Sequence, residues 1–375
     1  MIYFDHAATS FQKPPEVRIA IQNAMETCAS IGRSGHDLSM HAADLAYETR
    51  RTAGALFDTP PDQVVFTFNA THGLNIAIHS LVSPGDKVLI SGFEHNAVVR
   101  PLHHLGAQIL VAGTKLFDPQ DTLQSFEDGL KSGVTAVICT HVSNVFGYIL
   151  PVSQIAELCR MYHVPFILDA SQSAGVLPVS LLKLQAAFIA MPGHKSLYGP
   201  QGTGLLLCGQ HPKPLLFGGT GSNSKDYAMP QFLPDLAEAG THNVPGIAGL
   251  LAGIRYVQKV GLIEIAKKEV NFVKKMKDIF QGFPNIQYFS SQSDSQSGVI
   301  SWNIRGTDCE TVSAALADRG VAVRGGLHCS PLAHQSAGTL ETGTVRISFS
   351  DRNTEEELLQ FKAILSDVME CGISS

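Results

Sequence analysis

Lys195 stands in the run Ala190–Met191–Pro192–Gly193–His194–Lys195–Ser196–Leu197–Tyr198–Gly199, after a short apolar stretch and among glycines and small residues. Few charges lie nearby. A lysine amine becomes a nucleophile when it loses its proton, and a partly desolvated position favours that loss. The chemistry this context offers is imine formation. The bland alternative for a lone lysine is a solvated surface side chain.

A second segment, Pro165–Phe166–Ile167–Leu168–Asp169–Ala170–Ser171–Gln172, delivers an aspartate at the end of an apolar strand. Open α/β sheets bind ligands at that end. A carboxylate there can hold a ring nitrogen protonated, which pyridoxal phosphate requires to act as an electron sink. Read alone, Asp169 fits a helix cap or turn equally well. A third segment, Phe68–Asn69–Ala70–Thr71–His72–Gly73, joins a strand to a helix. The free N–H groups of a helix start can cradle a phosphate, with the Thr71 hydroxyl as a further donor. A plain N-cap role for Thr71 is as natural. His194 and its neighbouring N–H groups could also meet a phosphate. Neither G-x-x-x-x-G-K-[ST] nor G-x-G-x-x-G accompanies these segments, so nucleotide readings lose their usual support.

A fourth segment, Val323–Arg324–Gly325–Gly326–Leu327–His328–Cys329–Ser330–Pro331, puts a cysteine in a mobile-looking, glycine-rich loop. Arg324 and His328 are basic neighbours that could favour a thiolate. Glu94–His95–Asn96 follows another apolar run and offers an aromatic ring, or else an ordinary polar loop. Arg346, between Val345 and Ile347, can clamp a carboxylate bidentately, or serve merely as an edge-strand arginine.

These side chains need a scaffold. Of seven short apolar runs, Val64–Phe68, Lys87–Ile90, Gln108–Val111, Val134–Cys139, Val164–Leu168, Ala187–Ala190 and Gly204–Cys208, several are apolar on consecutive rather than alternate positions. That is the pattern of strands buried on both faces, so a mostly parallel α/β sheet covered by helices is expected. Helices are expected near Pro14–Cys28 and Ser39–Phe57, a long helical region over Val244–Gln281, and a final helix over Thr354–Met369. Thr354 and Glu357 have capping-box spacing. Residues 209–238, rich in Gly, Pro and Ser, read as an irregular excursion. Strands near Val299–Asn303, Val321–Arg324 and Val345–Phe349 indicate a small α+β C-terminal domain. The division is an N-terminal segment over 1–13, a large domain over 14–250 and a small one over 251–375.

The 375 residues suffice for about two domains. Charged residues are 16% of the chain, and 27 basic against 33 acidic side chains give −6, with no basic stripe. Nucleic acid is therefore not an expected partner. No apolar run approaches the roughly 18 residues of a membrane span. The seven cysteines, Cys28, Cys139, Cys159, Cys208, Cys309, Cys329 and Cys371, contain no C-x-x-C pair. No metal site or disulfide scaffold is expected, and a cytoplasmic location fits. Cys139, Cys159 and Cys208 lie in apolar or helical runs and read as small core residues.

As an ordered set, several motifs resemble the class V aminotransferase-fold enzymes, in particular cysteine desulfurases and selenocysteine lyases. They are Tyr3–Phe4–Asp5–His6–Ala7–Ala8–Thr9–Ser10, Gly35–His36–Asp37–Leu38–Ser39, Glu94–His95–Asn96, Ser143–Asn144–Val145–Phe146–Gly147, Asp169–Ala170–Ser171–Gln172, Gly193–His194–Lys195, Gly240–Thr241–His242–Asn243, Arg324–Gly325–Gly326–Leu327–His328–Cys329 and Arg346–Ile347–Ser348. The resemblance spans nearly the whole chain. It implies fold type I of the pyridoxal 5'-phosphate enzymes, with Lys195 as the Schiff-base lysine. Asp169 would face the pyridine nitrogen and Gln172 the phenolic oxygen, with His95 stacked on the ring. Thr71, His72 and His194 would lie at the cofactor, and Thr241 would reach the phosphate across a homodimer interface. Asn144, Arg346 and Arg324 would bind substrate, and Cys329 would accept sulfur. The implied reaction takes L-cysteine to L-alanine and leaves an enzyme persulfide; a sulfur- or selenium-acceptor protein would unload it. Selenocysteine lysis, kynureninase-like cleavage, transamination and a partner role without turnover are the alternatives. Two positions depart from the family pattern. His6 stands where Asn is usual, and Pro192 stands where Ser or Thr is usual, removing a phosphate donor.

Overall fold

The computed structural model describes residues 1–32 and 34–370; Cys371 lies outside the described residues. All seven apolar runs become strands of one sheet. Its order is Val64–Thr67, Gly204–Cys208, Phe188–Pro192, Phe166–Asp169, Ala136–Thr140, Lys87–Ser91, Gln108–Ala112. Neighbours are parallel except around Gly204–Cys208, which is antiparallel to both of its partners. Consecutive apolar positions serve two separate cores. Leu89, Val137, Cys139 and Ile189 pack into one apolar cluster, whereas Val88, Ile138 and Phe188 pack into the other, across the sheet. Helices on both faces supply the remaining walls, among them Ala70–Leu81 against one core and Pro119–Leu130 against the other. A strand sandwiched in this way has no polar face, hence its unbroken apolar sequence.

Chain order reverses between Lys87–Ser91 and Ala136–Thr140. The excursion to Gln108–Ala112 runs one way, and the later parallel strands run the other. The carboxyl ends of the strands at such a reversal leave an open crevice.

A third core belongs to the C-terminal part. Val345–Ser348, Val299–Ile304 and Ile286–Phe289 form an antiparallel sheet, and Ile2–Tyr3 pairs in parallel with Val321–Ala322. Ile2 and Phe4 pack with Phe272, Met276, Trp302, Ile347 and Phe361, which ties the N-terminal segment into this core. The helical region expected over Val244–Gln281 is two helices, Val244–Val260 and Leu262–Gln281. They meet at Gly261 and bend by 82°. Gly261 has φ +89°, a conformation that lets the helix end and the chain turn at little steric cost. The expected capping box is present: Thr354 N–H donates to Glu357 at 2.8 Å, and Glu357 N–H donates to Thr354 Oγ1 at 3.3 Å. Among the described residues, no single helix is long and apolar enough to cross a membrane.

Candidate active site

A cavity of about 230 Å³ opens at the carboxyl ends of the parallel strands. Its walls bring together Thr71, His95, Asn144, Asp169, Gln172, His194, Lys195, Arg324 and Arg346, nine of the residues singled out from the sequence. His72, Thr241 and Cys329 are not among them.

Asp169 ends its strand, 3% exposed, and accepts the Ser171 N–H at 2.9 Å. The turn-residue reading of Asp169 is thus met locally without removing its carboxylate from the cavity. Gln172 donates to Ala7 O at 3.0 Å, pinning the N-terminal motif against the wall. Lys195 lies in the turn that follows Phe188–Pro192. Two glycines let other elements close on that turn. A side chain at Gly175 (φ +94°) would collide with Ser196 O, and one at Gly253 would collide with Leu197 O. Burial lowers the Lys195 amine to about 8; Asp169 opposes that shift and Arg346 adds to it.

His95 caps the helix Asn96–His104 by accepting the Ala97 N–H at Nδ1, 3.0 Å. A backbone N–H can only donate, so the neutral ring carries its proton on Nε2. Burial drives His95 down to about 4, against the pull of Asp169. Its neighbour Glu94 is fully buried and not part of a polar loop. It accepts from Ser91 Oγ and from Thr140 N–H at 2.7 Å, joining the two strand ends that flank the crevice. Its other oxygen has no hydrogen-bond partner, and burial pushes the carboxyl up to about 8. Reading the sequence missed this role: a carboxylate beside a histidine carries no sign of burial.

The cap of the helix Ala70–Leu81 is Asn69, which accepts His72 N–H at 3.0 Å, not Thr71. Thr71 is exposed in the cavity wall beside the first-turn N–H groups that a helix cannot satisfy internally. His194 faces Thr9 Oγ1 at 3.1 Å, and burial lowers it to about 4. Pro192 lines the cavity without an N–H to offer. His6 points elsewhere: it is buried beside Ser350, lowered to about 4 by burial, and absent from the cavity wall.

Arg346 is 1% exposed, donating to Asp5 at 2.7 Å and to Asn144 O at 2.9 Å, while its Nε has no partner. It is on an edge strand as expected, but is a buried cation at a cavity. Its backbone bridges that of Arg324.

Cys329 is exposed, and its carbonyl accepts Asn96 N–H at 2.7 Å, which sets the loop beside His95. The loop is held at its flank, where Asn144 donates to His328 O at 2.8 Å. His328 corrects an expectation. Burial, reinforced by Arg346, lowers it well below its ordinary range, so it is neutral and supplies no cation to a thiolate. Cys139, Cys159 and Cys208 are buried core residues, as their settings indicate. His72 stacks on Phe68 and accepts Phe68 N–H at 3.3 Å. Together with Thr241 it lines a separate recess. Thr241 is exposed and does not reach this chain's cavity.

This donor set fits pyridoxal phosphate: a desolvated amine, a carboxylate at a strand end, a neutral flat imidazole, helix-start N–H groups and a buried arginine with an unpartnered N–H. The fold and the cavity define a fold type I pyridoxal-phosphate enzyme. The family model for aminotransferase class-V matches residues 2–361, and the chain belongs to that family. A Pyrococcus abyssi protein named "Probable cysteine desulfurase" is 30% identical, with 100% of this chain and 96% of that protein covered. One of the same name from Xylella fastidiosa is 33% identical, covering 98% and 91%. The apo structure of the cysteine desulfurase from Thermococcus onnurineus NA1 superposes with a TM-score of 0.91 at 30% identity, covering 99% and 95%. The Escherichia coli cysteine desulfurase, at TM-score 0.84 and 23% identity over 98% and 94%, shares the fold.

Proposed function

We propose that this chain is a pyridoxal-phosphate-dependent cysteine desulfurase that takes the sulfur of L-cysteine onto Cys329 and releases L-alanine. The observation that carries it is the convergence of Lys195, Asp169, His95 and Arg346 on one cavity, with Cys329 on a held loop beside His95.

Pyridoxal phosphate, when bound, supplies an electron sink for the substrate's Cα. Asp169 would hold the ring nitrogen and Gln172 the phenolic oxygen. His95 would lie on the ring face, while Thr71, His194 and the first-turn N–H groups would hold the phosphate. Arg346 and Asn144 bind the substrate carboxylate, and Arg324 adds positive charge to the same wall. Lys195, with its amine near 8, has a useful free-base fraction at neutral pH and moves the proton at Cα. The Cys329 thiolate attacks the substrate sulfur. An S–S bond forms as the Cβ–S bond breaks, and Cβ takes up a proton. Cys329 is left as a persulfide.

Thr241 cannot serve this chain's own cavity, and exposed Phe68 and Leu216 line the recess beside it. This supports a homodimer in which Thr241 completes the partner's phosphate site. The exposed position of Cys329 supports unloading by an acceptor protein, and the dispersed free cysteines favour a cytoplasmic setting.

The test is a side-by-side assay of L-cysteine, L-selenocysteine and kynurenine with wild type and Cys329→Ser, with intact mass after cysteine treatment. Alanine formation and a gain of one sulfur on wild type, both lost in Cys329→Ser, are expected. Unchanged cysteine turnover in Cys329→Ser would overturn the assignment. Turnover of selenocysteine alone would make the protein a lyase.

A further inference from the structure

Cys329 occupies a backbone conformation that must be imposed. His328 and Cys329 both have positive φ, +53° and +57°. Side-chain-bearing residues avoid this region, and two in succession persist only where surrounding contacts over-determine them.

Those contacts come from Asn144 in the cavity wall and from residues packed behind it. Asn144 grips both flanks of the cysteine. Its Nδ2 donates to His328 O at 2.8 Å, and its Oδ1 accepts the Ser330 hydroxyl at 2.6 Å. The His328 carbonyl can only accept, so it fixes which end of the amide is nitrogen, and the Ser330 hydroxyl then holds the oxygen; one Nδ2 hydrogen is left for a ligand in the cavity that Asn144 lines.

On the other side, the rings of His328 and His334 stack, with centroids 5.7 Å apart and planes within 14°. The protons along this pair follow from its ends. Arg324 C=O can only accept, so His328 Nε2, 3.0 Å away, carries hydrogen. His328 Nδ1 therefore accepts from His334 Nε2 at 3.5 Å, and His334 Nδ1 accepts from Thr339 Oγ1 at 2.8 Å. Burial keeps both rings neutral, with His334 lowered to about 4. Ser330 and His334 are both fully buried, and neither lines the cavity.

We propose that Ser330 and His334 are positioning residues that set where the Cys329 thiol stands relative to the substrate carboxylate. Ser330 acts by orienting the Asn144 amide, and His334 acts by bracing His328. The proposal rests on Cys329 being the sulfur acceptor.

The experiment uses the cofactor-loaded enzyme and the variants Ser330→Ala, Ser330→Thr and His334→Phe. Cofactor absorbance, kcat and KM for L-cysteine, and the rate of Cys329 alkylation by iodoacetamide are measured, the last by peptide mapping. Both Ser330→Ala and His334→Phe should keep the cofactor absorbance, lower kcat at least tenfold and speed alkylation severalfold as the loop loosens. Only Ser330→Ala should also raise KM, because it alone releases the Asn144 amide. Ser330→Thr, which keeps the hydroxyl, should recover most of kcat. Wild-type kcat and alkylation rates in both Ser330→Ala and His334→Phe would overturn the proposal. So would losses that track cofactor release and a lowered melting temperature, which mark a general structural role. Those results would leave the sulfur-acceptor reading standing if Cys329→Ser is inactive; an active Cys329→Ser would remove both.

Discussion

Asp5 and Arg346 form an ion pair at 2.7 Å that joins the N-terminal motif to the C-terminal sheet, with the arginine side chain 1% exposed. The cation that would receive a substrate carboxylate thus already has a counter-ion. Removing that counter-ion leaves a buried charge without compensation. Asp5→Ala should therefore lower unfolding stability at pH 7 by about 3 kcal/mol in a urea titration. An unchanged titration would show that Arg346 does not depend on Asp5.

Lys195 should announce its desolvation through pH. With burial holding the amine near 8, its reactive fraction rises about tenfold per pH unit below that value and levels off above it. Uptake of pyridoxal phosphate by cofactor-free protein should follow this curve. A rate still climbing steeply between pH 9 and 10 would indicate an ordinary lysine.

Glu94 should make the protein less stable as pH rises. Its carboxyl is raised from 4.5 to about 8 in the fold, so the folded state holds the proton more tightly than the unfolded chain. The contribution is whole below the unfolded value of 4.5 and is lost as pH climbs through about 8. Gln at this position keeps the acceptor for Ser91 and Thr140 without the charge. Glu94→Gln should match wild type near pH 4.5 and exceed it by on the order of 1–3 kcal/mol near pH 8. Melting temperatures across that range would show the two diverging; parallel curves would contradict the assignment.

Tyr198 and Tyr256 both donate to Asp351, the latter at 2.6 Å. Tyr198 closes the Lys195 turn through its N–H to Lys195 O at 2.9 Å, and Asp351 follows the Arg346 strand. Tyr198→Phe leaves a buried carboxylate oxygen unsatisfied, at a cost of about 1–3 kcal/mol. Because the bond also links the lysine turn to the arginine strand, KM for L-cysteine should rise along with the loss of stability. A stability loss with unaltered KM would separate the two elements.

The sheet was legible because burial on both faces writes itself into consecutive apolar residues, as at Val137, Ile138 and Cys139. Strand ends shifted by a residue or two, since the last residues, Asp169 and Pro192, are there for the cavity and not for the core. The break at Gly261 was hidden by apolar periodicity that continues through both helices. Lys195, Asp169 and Arg346 could be picked out because their charges interrupt apolar or glycine-rich surroundings. Glu94 and His328 could not be read correctly: whether a titratable side chain is buried depends on contacts from segments far along the chain, such as Thr140 for Glu94 and Asn144 for His328. His72 was expected at the cofactor and Thr241 at a partner's phosphate; in this chain both line a different recess.

The placement of the thiols has a consequence for sulfur traffic. Cys139, Cys159, Cys208 and Cys309 are shut inside the protein, each made harder to ionise by burial. Cys28 lines a cavity on another face, between the helices Pro15–Thr27 and Val244–Val260. Under the proposed function, sulfur on Cys329 would therefore find no second berth along the interior of the described chain. By the same desulfurase reading that sulfur would stay at the surface, where an outside thiol could take it.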